Sequence, residues 1–221
     1  MSPLIVSFVP GTSGRFISAI SYMLRNNTNE NIIWTEDNSA HNFNKYVEYY
    51  CDNVPEDLIN LYKNQFVNSP LIYQYLKLQP RHIMATHAYP NFELIEEKVP
   101  NSKIIIIGYN ENNLQEVIFN RIKKNKSKMI NPKMVNHKSL HYLISRKDYQ
   151  FLNIEIPEQY KHNTLVIMYD ELYQPYDNSF VALEKLSSFL NKSINESILN
   201  NYRLYVDGRN QMLQENNIAK I

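Results

Sequence analysis

The sequence predicts an α/β fold: a three-layer α/β/α domain built on a mostly parallel sheet of four or five strands. Three observations predict it. Apolar runs of strand length alternate with amphipathic helical segments from end to end, without an internal repeat or low-complexity linker, so residues 1–221 read as one domain. The runs at 4–9, 103–108 and 164–169 are nearly continuous in apolar residues, as strands covered on both faces are. Two of only four glycines, Gly11 and Gly14, fall in one strand-to-helix turn, where positive φ and close backbone approach are useful.

The first strand, Leu4 to Val9, is interrupted only by Ser7 and runs through the turn into a helix carrying Phe16, Ile17, Ile20, Met23 and Leu24. Asn26 to Asn31 is a polar turn, and Ile32 to Thr35 reads as a second short strand. Glu36 to Asn44 is loop, and Lys45 to Tyr50 and Asp57 to Val67 are helical, the latter opened by Pro55 and an acidic first turn. Leu71 to Leu78 continues as helix until Pro80. His82 to Thr86 is a short strand that leaves through the loop His87-Ala88-Tyr89-Pro90, and Phe92 to Val99 is a short helix.

Lys103 to Gly108, with four consecutive isoleucines, fits a central parallel strand. Glu111 to Lys124 follows as a helix with Leu114, Val117, Ile118 and Ile122 on one face. Asn125 to Leu152 has a weak pattern, with a helix at Met134 to Ile144. Thr164 to Tyr169 is another apolar strand, Asn178 to Leu190 and Ile194 to Leu204 are amphipathic helices, and the polar residues after Val206 read as partly irregular.

A chain of 221 residues buries one sizeable core, and its net charge of +1 gives no bulk attraction to nucleic acid or membrane. Cys51 is the only cysteine, which fits a reducing compartment. No apolar run approaches the roughly 18–20 residues that span a bilayer, and the N-terminus lacks the features of a signal peptide. The expectation is a cytoplasmic protein.

The opening turn is not a Walker A loop. Val9 stands at the first glycine position, Arg15 at the lysine, and Phe16 where a Ser or Thr hydroxyl would hold Mg²⁺. Two readings stay open: an oxyanion cradle of backbone N–H groups with Thr12, Ser13 and Arg15, or a glycine-containing tight turn capped by Ser13. His87, just past a strand end, is either a satisfied structural histidine or a general base. The basic run Arg121–Lys133 reads first as a solvated helix end. His137 and His141 read as helix surface rather than a metal site, for lack of further ligands, and the tyrosines as packing residues with polar tips.

The order of four stretches resembles the sulfotransferases that use 3′-phosphoadenosine-5′-phosphosulfate (PAPS). They are Pro10-Gly11-Thr12-Ser13-Gly14 after the first strand, PRHIMATHAYP at 80–90, NSKIIIIGYNENNLQEV at 101–117, and LVIMYDELYQ…LEKLSSFLN at 165–191. The resemblance implies a P-loop/sulfotransferase-like fold and metal-independent sulfuryl transfer from PAPS to a hydroxyl or amine of a small-molecule or glycan acceptor, leaving adenosine 3′,5′-bisphosphate. It implies His87 as general base and Arg15 as the cation that stabilises charge on the leaving phosphate. Gly11, Thr12, Ser13, Gly14, Arg15, Phe16, Tyr109 and Arg209 would line the nucleotide site.

Thr12 stands where the family has lysine, and the Arg near Tyr109 and Ser near Val117 that hold the family's 3′-phosphate are absent. An anion-binding protein on the same fold without transfer, and a divergent small-molecule kinase, are the alternatives. The acceptor would be shaped by Trp34 to Tyr50 and Asn125 to Leu152.

Overall fold

The computed structural model describes residues 2–9, 12–29, 32, 83–86, 89–114, 116, 117 and 148–215. Strands β1 (Leu4–Phe8), β2 (Ile83–Thr86), β3 (Lys103–Gly108) and β4 (Thr164–Met168) form one sheet in the order β2-β1-β3-β4. Every pairing is parallel, with Leu4 opposite both Ile83 and Lys103, and Ile104 opposite Thr164. The α/β expectation with a parallel sheet therefore holds, with four strands among the described residues.

The side chains explain the order. All of β1 is buried, and Ile104 to Ile107 of β3 are at most 1% exposed, which is the burial of central strands covered on both faces. Each such isoleucine contributes about 1.5–3 kcal/mol of transfer free energy. β4 is half-buried apart from Ile167 and lies at the end of the described sheet. A two-stranded antiparallel ribbon, β5 (Pro175–Tyr176) with β6 (Ser179–Phe180), sits apart.

Helices α1 (Gly14–Asn26), α2 (Phe92–Lys98), α3 (Val181–Leu190) and α4 (Glu196–Glu215) flank the sheet. α1 packs on β1, β2, α3 and α4, while α3 packs on β4. α1 ends at Asn27 in the left-handed conformation, whose N–H donates to the Met23 carbonyl. In its last turn Arg25 is buried and donates to the Ser2 carbonyl at 2.6 Å; burial pulls its pKa down to about 10. Asn91 caps α2 by accepting from the Leu94 N–H, and Asn195 does the same for Ile198 at the start of α4.

Three sequence expectations need correction. The residues after Val206 are not irregular: α4 continues to Glu215. Its buried stripe runs Ile198, Tyr202, Tyr205, Arg209, Leu213, spacings of four, three, four and four, with arginine in one apolar slot. Ser179 and Phe180, read as the start of a helix, belong to β6. The helix expected from Glu111 opens instead as a 3₁₀ turn, Glu111–Asn113, because the side chains of Asn110 and Asn113 each accept the other's backbone N–H.

Several expectations lie outside the described residues. They are the helices at Lys45–Tyr50, Asp57–Val67, Leu71–Leu78 and Met134–Ile144, the basic run Arg121–Lys133, His137, His141 and Cys51. Of the strand expected at Ile32–Thr35 only Ile32 is described; it is not in a strand, and its N–H donates to Asn201 Oδ1 at 2.8 Å.

Candidate functional site

The strand order fixes where a ligand can enter. The chain passes from β1 to β2 on one side, then crosses to β3 on the other side of β1 and moves on to β4. In an open parallel sheet such a reversal leaves a crevice at the carboxyl ends of the two strands concerned, here β1 and β3. The turn into α1 leaves one of these ends, and Tyr109-Asn110 leaves the other.

Within the turn the side chains work inward. Thr12 is fully buried and sends both its backbone N–H (3.1 Å) and its hydroxyl (2.7 Å) to the Val9 carbonyl, closing the turn on itself. Ser13 lies at φ 64°, ψ 23°, in the left-handed region, and its side chain does not cap α1. The reading of the turn as capped by Ser13 therefore fails, and Ser13 itself takes the positive φ.

Gly14 is required for closeness. A Cβ built on it would lie 1.9 Å from Phe8 Cγ, so only a glycine lets the first turn of α1 sit on that ring. Phe16 is 2% exposed, stacked on Tyr205 at 3.7 Å between centroids and edge-on to Tyr202 at 4.8 Å. It belongs to the seam between α1 and α4. Arg15, between two buried neighbours, is half-buried on the first turn of α1.

The Ser13 hydroxyl opens a buried polar cluster. It lies 3.0 Å from the Tyr173 hydroxyl and accepts a hydrogen bond from Tyr205. Tyr173 donates to Tyr169 (3.3 Å), and Tyr169 donates to Glu116 Oε1 (2.8 Å). Glu116, fully buried, is held by Arg209 through Nε to Oε1 (2.7 Å) and a terminal nitrogen to Oε2 (2.6 Å). The Arg209 guanidinium also lies 3.6 Å from the centre of the Tyr173 ring.

Burial, reinforced by neighbouring negative or ionisable groups, pushes the phenols of Tyr169, Tyr173, Tyr202 and Tyr205 well above their usual range, so they are O–H donors at neutral pH. Burial works to lower the Arg209 pKa, but the hydrogen bond and charge of Glu116 outweigh it and raise it.

The residues singled out in the sequence are therefore divided. Thr12, Ser13, Gly14, Arg15 and Phe16 share one turn. Arg209 reaches the back of the same turn through Tyr173, but its charge is engaged by Glu116. Tyr109 has no exposed surface and sits in the core, its N–H donating to the Phe151 carbonyl at 3.1 Å. Gly11 and His87 lie outside the described residues.

Sequence reasoning passed over Glu116, Tyr169, Tyr173 and Tyr205. The signal was present in the spacing Tyr169/Tyr173 and Tyr205/Arg209, both i, i+4. Among the described residues no cluster of three His, Cys, Asp or Glu is placed to hold a metal ion, and no helix is long and apolar enough to cross a membrane.

No protein-family model matches the sequence, and no curated protein matches it. Among solved structures, a sulfotransferase domain from the curacin biosynthetic pathway is similar at a TM-score of 0.45 and 15% identity, over 91% of this chain and 78% of that one.

Proposed function

We propose that this chain binds an oxyanion-bearing nucleotide where β1 gives way to α1, and transfers a sulfuryl group from PAPS to a hydroxyl or amine acceptor without a metal. The observation that carries the reading is the turn itself. The first turn of α1 is brought hard against the carboxyl end of β1 by Gly14 on Phe8, beside the reversal of strand order, with Arg15 half-buried at its start. A helix N-terminus so placed favours anions through its backbone N–H groups and its dipole. Phe16 presents no hydroxyl for Mg²⁺ and is stacked under Tyr205, which disfavours the kinase alternative.

The fit to PAPS is uneven. The sulfuryl end suits the turn: Arg15 offers a charged fork for sulfuryl or phosphate oxygens. For the 3′-phosphate, Arg209 is spoken for, because its guanidinium already grips Glu116. In this reading His87, which follows the last residue of β2, removes the acceptor proton as the acceptor oxygen or nitrogen attacks sulfur and the sulfur–oxygen bond to the 5′-phosphate breaks. Arg15 balances the charge left on that phosphate; losing such a group costs about 10²–10³ in rate.

The Glu116–Arg209 pair favours a second reading, an anion-binding protein that performs no transfer. Thermal shift separates them first, with adenosine 3′,5′-bisphosphate, PAPS, ATP plus Mg²⁺ and sulfate. A ligand at about 100 times its Kd adds roughly 2.7 kcal/mol. Stabilisation by the bisphosphate, together with sulfate transfer lost in His87→Ala, supports the transferase. Transfer left intact by that change removes His87 from its role, and binding without transfer to any acceptor selects the second reading.

A further inference from the structure

We propose that Tyr173 and Tyr205 are positioning residues for the β1–α1 turn: by gripping the Ser13 hydroxyl from two segments, they hold Ser13 left-handed and so set the turn's affinity for an oxyanion. This deepens the reading above and rests on it.

The conformation is what needs explaining. Among the described residues, five other than glycine have positive φ: Ser13, Asn27, Asn101, Asp177 and Asn191. Four are Asn or Asp, the types that tolerate the left-handed region; serine is the exception. Nor is Ser13 compensated in the usual way, since its side chain accepts nothing from the helix it precedes. Its hydroxyl instead lies 3.0 Å from Tyr173 and accepts from Tyr205.

Counting protons gives these bonds a direction. Glu116 accepts from Arg209 twice and from Tyr169, so the Tyr169 proton is spent on the carboxylate. Tyr169 must then accept from Tyr173, Tyr173 from Ser13, and Ser13 from Tyr205. The Ser13 hydroxyl thus gives its one proton to the inner side of the turn and accepts there from Tyr205, so it has no proton to offer an oxyanion and its share in binding is to hold the backbone. That backbone also accepts the first helical bond, Ile17 N–H to the Ser13 carbonyl at 3.1 Å.

The two phenols are themselves immobilised. Tyr205 stacks on Phe16, two helical positions beyond Gly14, and lies parallel to Tyr173 at 6.2 Å. Tyr173 is edge-on to Tyr169 at 5.3 Å and carries the Arg209 guanidinium on its ring. Tyr173 follows β4 and Tyr205 lies on α4, so the turn takes its shape from segments roughly 160–190 residues away in sequence. Being neutral by burial, Tyr205 keeps the proton that it gives to Ser13, and Tyr173 keeps the one that it gives to Tyr169.

The test is a double-mutant cycle on affinity for adenosine 3′,5′-bisphosphate, by calorimetry on the full chain. Tyr205→Phe keeps the ring and its stack on Phe16 and removes only the hydroxyl. Ser13→Ala removes the gripped atom and keeps the Cβ that makes the left-handed conformation costly. We expect Tyr205→Phe to weaken binding about three- to tenfold, the worth of one hydrogen bond, Ser13→Ala to weaken it at least as much, and the double variant to bind no worse than Ser13→Ala alone. Denaturation midpoints establish that all four proteins are folded at the assay temperature. Tyr205→Phe binding like wild type, or effects that multiply in the double variant, overturns the positioning role while leaving the turn as the site. A wild-type chain that binds neither the bisphosphate nor sulfate overturns the proposed function, and this inference with it.

Discussion

Arg209 meets Glu116 through two hydrogen bonds of 2.7 and 2.6 Å, and their side chains are only 7% and 0% exposed. Such a pair offsets its desolvation only while both members are present. Glu116→Gln or Arg209→Met should therefore cost about 3–5 kcal/mol in urea denaturation. The double variant Glu116→Leu, Arg209→Met should recover most of that loss, because no buried charge is left without a counterpart. Single and double variants of equal stability would mean that water reaches the pair.

Phe16→Thr restores a hydroxyl at the position where an NTPase loop holds its magnesium. It also empties the space under Tyr205. The expected result is a loss of about 3 kcal/mol from the cavity, with no thermal stabilisation by ATP and Mg²⁺. A shift with ATP that requires Mg²⁺ would falsify the view that this turn has no metal function.

Gly14→Ala drives a methyl group into the Phe8 ring, 1.9 Å from Cγ. Overpacking of that size costs about 3 kcal/mol. Shrinking the ring with Phe8→Leu should make the alanine cheaper, so the double variant is more stable than the sum of the two singles predicts. Strict additivity would show that α1 moves away from β1 instead.

Alkali should unfold this protein steeply. Burial raises the phenols of Tyr169, Tyr173, Tyr202 and Tyr205 in the folded chain, so they hold protons that the unfolded chain releases near pH 10. Their contribution is complete below pH 10 and is lost as pH rises through the folded values. Each phenol removes at most about 1.4 kcal/mol per pH unit. Arg25, lowered to about 10, and Lys103, lowered by burial, act in the opposite sense, while Tyr89, raised by burial, adds to the four phenols. Urea midpoints between pH 9 and 11.5 measure the slope, and Tyr205→Phe should lower it by one phenol's share. Early phenolate absorbance from all four groups in the folded state would contradict the burial argument.

The sheet is legible because its strands are written in nearly continuous apolar runs. Lys103 to Gly108 is recovered residue for residue, and β1, β2 and β4 to within one residue. α4 runs past its expected end: its stripe spends a slot on Arg209, directly after Gly208, and a charge beside a glycine reads as loop until Glu116 is known to lie opposite. The glycines of the turn mark it in the sequence, whereas nothing there marks Ser13 as a left-handed residue. The grip on Ser13 comes from Tyr173 and Tyr205, and no local pattern announces contacts made across so much chain.

The hydroxyls of Tyr205, Ser13, Tyr173 and Tyr169 each hold one proton and pass it toward Glu116. None can turn round alone without setting two hydrogens, or two bare lone pairs, face to face. Hydroxyls ordinarily sample several rotors, but these four share a single polarity that the carboxylate dictates. Glu116 thus fixes where the Ser13 hydrogen points without touching it, and an interior of neutral phenols transmits the sign of one buried charge to the edge of the site.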